Sequence, residues 1–223
     1  MAILKENPLG IISGRIGELI FRRRNGKIVV YKRPSPSTKP LSIGSINSRQ
    51  NFKSLVHFSK YLNSVPLIHD LWIKSTKRSY LSIMKANAGS FVDFYPSKFC
   101  QICPPGQFDL FIFYNKLSDR TLNFSFIQIP DLITPETESV EMVCVNTWFA
   151  PLNSEIFNPF ESFLSVHSFS PDQVRSDNSQ TIEDRVSPSS TVAHYTRKML
   201  FFFFIIHNPG GIVLHSDSYC AEV

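Results

Sequence analysis

Two short runs near the start of the chain, residues 18–24 and 27–33, combine aliphatic, aromatic and basic residues in the manner of β-strands. Asn25-Gly26 lies between them. This pair favours a two-residue type I′ turn, because both central positions of that turn need a positive φ. The sequence therefore predicts a β-hairpin that is apolar near its base and cationic at its tip. The turn sets the pairs Leu19–Lys32, Ile20–Tyr31, Phe21–Val30, Arg22–Val29 and Arg23–Ile28.

After the hairpin, a Pro- and Ser-rich linker covers residues 34–40, and the spacing of apolar residues then changes to three and four. This spacing predicts an amphipathic helix over residues 45–64. Its apolar stripe is flanked by Arg49, Lys53 and Lys60. Stripes of this kind pack into a core far more often than they bind a ligand, so we interpret this one as core.

Two further helices are expected before the pattern changes again. The first covers residues 65–75, with Ser64 as its N-cap and Pro66 in its first turn. Proline is tolerated there because N–H groups of the first turn make no hydrogen bond within the helix. The second covers residues 80–88 and ends at Gly89. Both are short and carry apolar residues on one side.

From residue 105 onward, the apolar residues alternate with a period of two, and Asn-Pro, Pro-Asp and Gly-Gly pairs separate the segments. Six or seven short strands in this arrangement are typical of an antiparallel β-sandwich of the immunoglobulin or fibronectin kind. The Pro-rich stretch 90–108 is a candidate hinge, and the polar stretch 170–190 is a predicted mobile loop. The predicted strands are residues 109–114, 121–129, 139–149, 161–169, 191–206 and 212–219.

Charge divides the chain at the same place. Residues 1–104 carry 17 Lys and Arg against 4 Asp and Glu, a net charge of +13, whereas residues 105–223 carry 6 against 14, a net charge of −8. The overall +5 hides this asymmetry. We therefore expect an α+β protein of two domains, a basic hairpin-and-helix module (residues 1–104) and an acidic antiparallel β-sandwich (residues 105–223).

Composition adds two limits. With 43% hydrophobic residues, 20 of them Phe, the 223-residue chain has enough apolar material for a packed core. Its longest apolar run, residues 199–206, is far shorter than the roughly 20 residues of a membrane helix, so no membrane span is expected. The first residues lack the pattern of a secretory signal, which favours the cytoplasm or an assembled particle.

The cysteines are the strongest candidates for chemistry. Cys100 and Cys103 form a C-x-x-C pair, but Pro104-Pro105 follows, and a redox pair needs a helix start there. A zinc site would need two more ligands. Inert thiols are the favoured interpretation, with a metal site and a redox role as alternatives, and the two remaining cysteines, Cys144 and Cys220, stand alone.

Other catalytic patterns are missing from the sequence. None of the six histidines lies in an H-E-x-x-H motif, and no G-x-S-x-G turn occurs. An acidic stretch at Glu136, Glu138 and Glu141 is more typical of a solvated face than of an acid–base pair. We therefore expect a protein that is not an enzyme and that uses no cofactor and no metal, while a site assembled from scattered residues remains a lesser alternative.

Cations at the hairpin tip allow three interpretations: a solvated strand end that blocks edge pairing, a contact with an acidic protein surface, or a contact with nucleic-acid phosphates. Apolar residues near the base would add burial at such an interface. The candidate interface or polyanion-contact residues are Leu19, Phe21, Arg22, Arg23, Arg24, Lys27, Tyr31, Lys32, Arg33, Arg49 and Lys53.

A wider pattern holds these features together: a Gly-[Lys/Arg]-Ile-Gly step, a strand, an Asn-Gly turn, a basic strand ending in Arg-Pro, a Ser/Thr linker, and a helix with Arg and Phe. In this pattern the chain resembles a family of uncharacterised bacterial proteins from Bacteroidetes-related lineages and their mobile elements. The resemblance implies an architecture and no catalytic site. The residues that carry it are Gly14-Arg15-Ile16-Gly17, Asn25-Gly26, Arg33-Pro34, residues 35–39, Arg49, Phe52 and residues 216–223.

These observations favour a structural or assembly protein of the phage-like or filament-forming kind. We expect it to self-associate head to tail, with the basic module of one copy against the acidic half of the next, or to dock on a protein partner with an acidic surface. Nucleic-acid binding through the Arg-rich hairpin is the alternative.

Overall fold

The computed structural model describes residues 2–4, 14–35, 40–109, 112–118, 121–126, 133–149, 160–176, 179–183, 197–209 and 212–222. The chain divides into two compact units, Met1–Ser42 and Ile43–Val223. We call them the N-terminal unit and the C-terminal unit.

A four-stranded antiparallel sheet forms the N-terminal unit, with strand order β1-β4-β3-β2. Asn25 and Gly26 have φ values of 49° and 78°, as the type I′ turn requires, and every predicted pair of the hairpin β3–β4 is present. The hairpin prediction is confirmed because its turn chemistry is local. The strands are β1 (Ala2–Leu4), β2 (Gly14–Ile16), β3 (Leu19–Arg24) and β4 (Lys27–Lys32).

The turn makes the hairpin sensitive to a β-carbon at Gly26. We expect Gly26→Ala to weaken the hairpin by about 1–2 kcal/mol, because an L-residue is strained at positive φ. Trypsin cleavage within Arg22–Arg24 should then accelerate about 5–30-fold, the matching change in the unfolded fraction. Gly44→Ala is the control, since Gly44 has no positive φ and open space around it. Equal cleavage of both variants would contradict this account of the turn.

Three helices open the C-terminal unit: α1 (Ile43–Ser64), α2 (Pro66–Thr76) and α3 (Ser79–Ala86). Two predicted caps are wrong. The Ser64 hydroxyl donates backwards to the Tyr61 carbonyl at 2.7 Å, and the N-cap of α2 is Val65. The C-cap of α3 is Asn87 rather than Gly89, and the Asn87 side-chain amide donates to the carbonyls of Ile83 and Gln101.

Strands and one short helix make up the remaining described elements of this unit. The predicted bounds of β9 are confirmed, but the predicted loop over residues 170–190 is wrong, because it contains a helix and a strand. The elements are β5 (Phe91–Val92), β6 (Tyr95–Pro96), β7 (Ile112–Ser118), β8 (Thr121–Phe126), β9 (Ser139–Phe149), β10 (Phe160–Phe169), α4 (Pro171–Ser176), β11 (Ser179–Glu183), β12 (Arg197–Asn208), β13 (Ile212–His215) and β14 (Tyr219–Glu222).

The central sheet is antiparallel and five-stranded, in the order β10-β9-β12-β13, with β14 also paired to β12. Its middle strand β12 holds the longest apolar run of the chain, and that run is buried on both faces. Continuous apolar runs belong in strands that are covered on both sides. A separate antiparallel sheet has the order β11-β8-β7, and β5 pairs with β6.

One face of the central sheet is covered by the three helices. The Phe58 ring of α1 lies 5.8 Å from the Phe201 ring of β12 and 6.1 Å from the Phe160 ring of β10. Buried residues of all three helices and of β9, β10 and β12 form one cluster. The molecule is therefore α+β as predicted, and on this face the sheet packs against helices rather than against a second sheet.

This shared core moves the domain boundary. The sequence predicts a division between residues 104 and 105, whereas the structure divides the chain between Ser42 and Ile43. The helices need the apolar face of the sheet to bury their stripes, so residues 43–104 belong with the strands. Periodicity along the chain does not reveal which distant element covers a stripe.

The Pro-rich stretch that we predicted as a hinge is instead fastened at several points. Trp72 Nε1 donates to the Ile102 carbonyl at 3.2 Å. The Gly106 amide donates to Asp217 Oδ1 at 2.6 Å, and the Gln107 amide donates to the His215 carbonyl at 2.9 Å. The prediction of a hinge is therefore wrong, because these hydrogen bonds hold the loop against α2 and the β13–β14 connection within one compact unit.

No described helix combines the length and the apolar character that crossing a bilayer requires.

Candidate functional site

The hairpin concentrates cations on one face of the N-terminal sheet. In the observed register, Arg22, Arg24 and Lys27 share that face with Val29 and Tyr31. A shallow concavity of about 450 Å³ lies there, open to solvent. The concavity is lined by Arg22, Arg23, Arg24, Val29 and Tyr31.

These guanidinium and ammonium groups have no acidic partner within the described chain. Lys32 does pair with Glu18 at 3.0 Å, but both side chains are 75% exposed, and such a pair contributes little stability. By contrast, no ion pair joins Arg22, Arg24 or Lys27 to a carboxylate of the described residues. The face therefore presents uncompensated positive charge next to an aromatic ring.

The opposite face of the same sheet carries more apolar residues. Leu19, Phe21, Ile28 and Val30 share it by register with two cations, Arg23 and Lys32. Leu19 is 44% exposed, and Ile16 of the neighbouring strand is 60% exposed. None of residues 14–35 and 40–42 is buried. A small sheet without a buried side normally gains stability from a partner that covers its apolar face.

Two of the predicted contact residues lie elsewhere. Arg49 and Lys53 belong to α1, in the C-terminal unit, and so the predicted set splits between two bodies. On α1, Lys53 lies about two turns before Lys60 and Arg49 about three turns before it. The pKa of His57 is lowered, first by burial and then by the positive charges of Lys53 and Lys60. These lysines therefore create a local positive potential on the helix.

The division into units also changes the distribution of charge. The N-terminal unit has 9 Lys and Arg against 2 Asp and Glu, a net charge of +7, whereas residues 43–223 have 14 against 16, a net charge of −2. Within the C-terminal unit, residues 43–104 carry +6 and residues 105–223 carry −8. Positive and negative segments thus share one core there, and the unit with a strong net positive charge is the N-terminal one.

The three buried cysteines are poor nucleophiles. Burial raises the pKa values of Cys100, Cys103 and Cys144 to about 12. The Cys103 thiol lies 3.0 Å from the Ser218 hydroxyl, and the Cys100 thiol donates to the Ser90 carbonyl at 3.3 Å. Thiols with such pKa values stay protonated near neutral pH, which fits the interpretation of inert residues. The described residues include no group of three side chains that could hold a metal ion.

Two polar features escaped the sequence-based predictions. The neighbouring Asp217 raises the pKa of Asp109, through side-chain hydrogen bonding and then through charge repulsion, and Asp217 lines a cavity of about 340 Å³ together with Lys98. Lys198 on β12 is buried, with its ammonium 5.0 Å from the centre of the Trp148 ring. The alternation of side chains along β12 could have assigned Lys198 to a face of the sheet. The burial of Lys198 and the Asp109–Asp217 pair, however, depend on contacts between distant segments.

No protein-family model matches the chain, and no curated protein matches it. One solved structure, a pectate lyase, Pel3 from Pectobacterium carotovorum, is similar at 11% identity and a TM-score of 0.27. The alignment covers 51% of this chain and 26% of the pectate lyase. A similarity at this TM-score carries no argument about fold or activity. The resemblance to the Bacteroidetes-related family stays a prediction.

Proposed function

We propose that the chain is a non-enzymatic assembly protein whose N-terminal sheet docks on an acidic protein surface. The preferred partner is another copy of this chain. One observation carries the proposal: the uncompensated cationic face at Arg22, Arg24 and Lys27. A charged face without internal partners adds little to the stability of its own chain, but it steers and orients an approaching partner.

Apolar side chains on the cationic face itself support the proposal. Docking there would cover the partly exposed Val29 and Tyr31, and the transfer of apolar area out of water contributes roughly 25 cal/mol per Å². Charge would then set the orientation of the complex, and apolar burial would add to its affinity.

Within the chain, a suitable acidic surface lies at the start of β9. Glu136 and Glu138 are exposed there. The neighbouring Glu141 is half-buried and contacts His207 at 3.2 Å, so it is less available. Contact between the cationic face of one copy and Glu136 and Glu138 of the next is heterologous, and repeated contacts of this type build rings or filaments.

The central test is a charge reversal. We expect the variant Arg22→Glu/Arg24→Glu/Lys27→Glu to raise the apparent Kd of self-association at least about tenfold, because attraction becomes repulsion. Sedimentation velocity over a range of protein concentrations measures this change. Lys74→Glu/Lys77→Glu/Lys85→Glu is the control, since it alters net charge equally at exposed positions on α2, at its C-cap and on α3.

A compensating reversal identifies the acceptor. Adding Glu136→Arg and Glu138→Arg to the hairpin variant should restore association, since both surfaces are then inverted. Undiminished association of the hairpin variant would refute docking through this face. Loss without recovery would refute Glu136 and Glu138 as the acceptor.

Nucleic-acid binding is the second candidate, favoured by the position of Tyr31 beside the arginines, because aromatic rings stack on unpaired bases. Electrophoretic shifts with random duplex and single-stranded DNA and RNA test it. Binding that falls steeply with salt and disappears in the hairpin variant would support this function. Absence of a shift at about 0.05 M salt would reject it.

We also propose that the predicted β-sandwich is present in the C-terminal unit. The face of the central sheet opposite the helices includes Met142, Phe202 and Phe204, all fully buried. A buried face needs a cover, and we propose that the sheet of β7, β8 and β11 contributes to it. An experimental structure in which that sheet lies elsewhere would contradict this arrangement.

A further inference from the structure

Among the described strands, β10 forms one edge of the central sheet along its whole length. All ten of its residues, Phe160–Phe169, pair with β9, and no other described strand pairs with them. At about 3.3 Å per residue the edge is about 33 Å long. Edge strands usually carry lysines, prolines or bulges that prevent pairing with another chain. This strand has no Lys, Arg or Pro, and its pairing with β9 has no register shift.

Apolar side chains beside this edge are accessible. Leu164 is 38% exposed and Val166 is 44% exposed. Both lie on the same face of the sheet as the helices, because their partners on β9, Val145 and Val143, are buried against those helices. The helices thus leave an apolar strip uncovered along the edge.

The order of side chains along β10 is self-complementary. In an antiparallel pair of two β10 strands centred on Leu164, residues whose numbers are equally far from 164 face each other. Glu161 of one copy then faces His167 of the other, and Ser162 faces Val166. Leu164 meets its own equivalent at the two-fold axis, where the exposed apolar strips of both copies cover each other.

We infer that β10 is a dimerisation edge, at which a second copy of this chain adds its own β10 antiparallel and joins the two central sheets into one of ten strands. Backbone hydrogen bonds along the edge would supply affinity, and the Glu161–His167 pairs would fix the register. A two-fold axis perpendicular to the sheet keeps the helices of both copies on the same side. This interface goes beyond the docking face of the N-terminal sheet and uses none of its residues.

Lysine substitutions test the edge. We expect the double variant Leu164→Lys/Val166→Lys to raise the Kd of the dimer more than about tenfold, because like charges would meet across the two-fold axis. Leu81→Lys is the control, since Leu81 is 56% exposed on α3. Sedimentation at about 1 M salt isolates this interface, because such salt suppresses contacts between exposed charges.

Cross-linking gives a readout that does not depend on lysine being tolerated. Leu164→Cys should form a disulfide between copies under mild oxidation, because Leu164 faces itself, whereas Leu81→Cys should not. A wild-type monomer at about 1 M salt, or no cross-link at Leu164→Cys, would overturn the dimer. A salt-resistant dimer that the hairpin charge reversal leaves intact would support the edge even if the docking proposal fails.

Discussion

Replacing Phe58 by alanine is expected to lower the free energy of unfolding of the C-terminal unit by about 3–5 kcal/mol. The Phe58 ring is fully buried, and rings of Phe91, Phe160 and Phe201 surround it at centroid distances of 5.8 to 6.1 Å. These rings belong to three separate segments of the chain. Removing the central ring leaves a cavity that all of them border, and rigid strands cannot collapse to fill it.

Phe52→Ala is the matched control on the same helix. Phe52 is 58% exposed, so its truncation should change the free energy of unfolding by less than about 0.5 kcal/mol. Urea denaturation followed by circular dichroism of helix and by tryptophan fluorescence measures both variants. We expect the two signals to change together, since helices and sheet share one core. Separate transitions, or a small effect of Phe58→Ala, would contradict the shared core.

Gly106→Ala is expected to destabilise the same unit by about 3 kcal/mol, at the upper end of the usual range for overpacking. A β-carbon at Gly106 would collide with the carbonyl carbon of Ser216 and the backbone nitrogen of Asp217, and it would lie 2.8 Å from the His215 carbonyl oxygen. All three atoms belong to backbone, so no side chain can rotate away. The loop would have to leave the β13–β14 connection and lose the hydrogen bond between Gly106 and Asp217.

Gly89→Ala serves as its control, because nothing lies within 4 Å of a β-carbon built there. Chemical denaturation of both variants gives the difference in free energy of unfolding. Hydrogen exchange should also show faster exchange of the Gln107 amide in Gly106→Ala, since that amide donates to the His215 carbonyl. A variant as stable as the Gly89→Ala protein would contradict the close backbone contact.

The sequence alone could predict those features of the fold that depend on residues close together along the chain. The hairpin register follows from two adjacent residues, Asn25 and Gly26, whose preference for positive φ decides the turn. The bounds of β9 and the burial of β12 follow from apolar runs. The division into compact units differs from the predicted boundary, because Phe58 packs on Phe201, which no local pattern indicates. The helix α4 and the strand β11 were missed because their stretch is polar.

In the candidate site, too, only features that depend on residues close in sequence could be predicted. The sequence could place Arg22, Arg24 and Lys27 together, because strand alternation assigns side chains to faces. It also grouped them with Arg49, which the structure places in the other unit. Neither the Asp109–Asp217 pair nor the exposed edge of β10 could be predicted, since both depend on which strands become neighbours.

Salt dependence tests the docking role most directly. Sedimentation velocity of the full chain should be compared at about 0.1 M and about 1 M salt, between which the Debye length falls from about 10 Å to about 3 Å. We predict a larger mass at low salt than at high salt, because the docking contact depends on the cations of the N-terminal sheet, whereas the β10 contact does not. The same mass at both salt concentrations, over the full range of protein concentration, would contradict electrostatic docking.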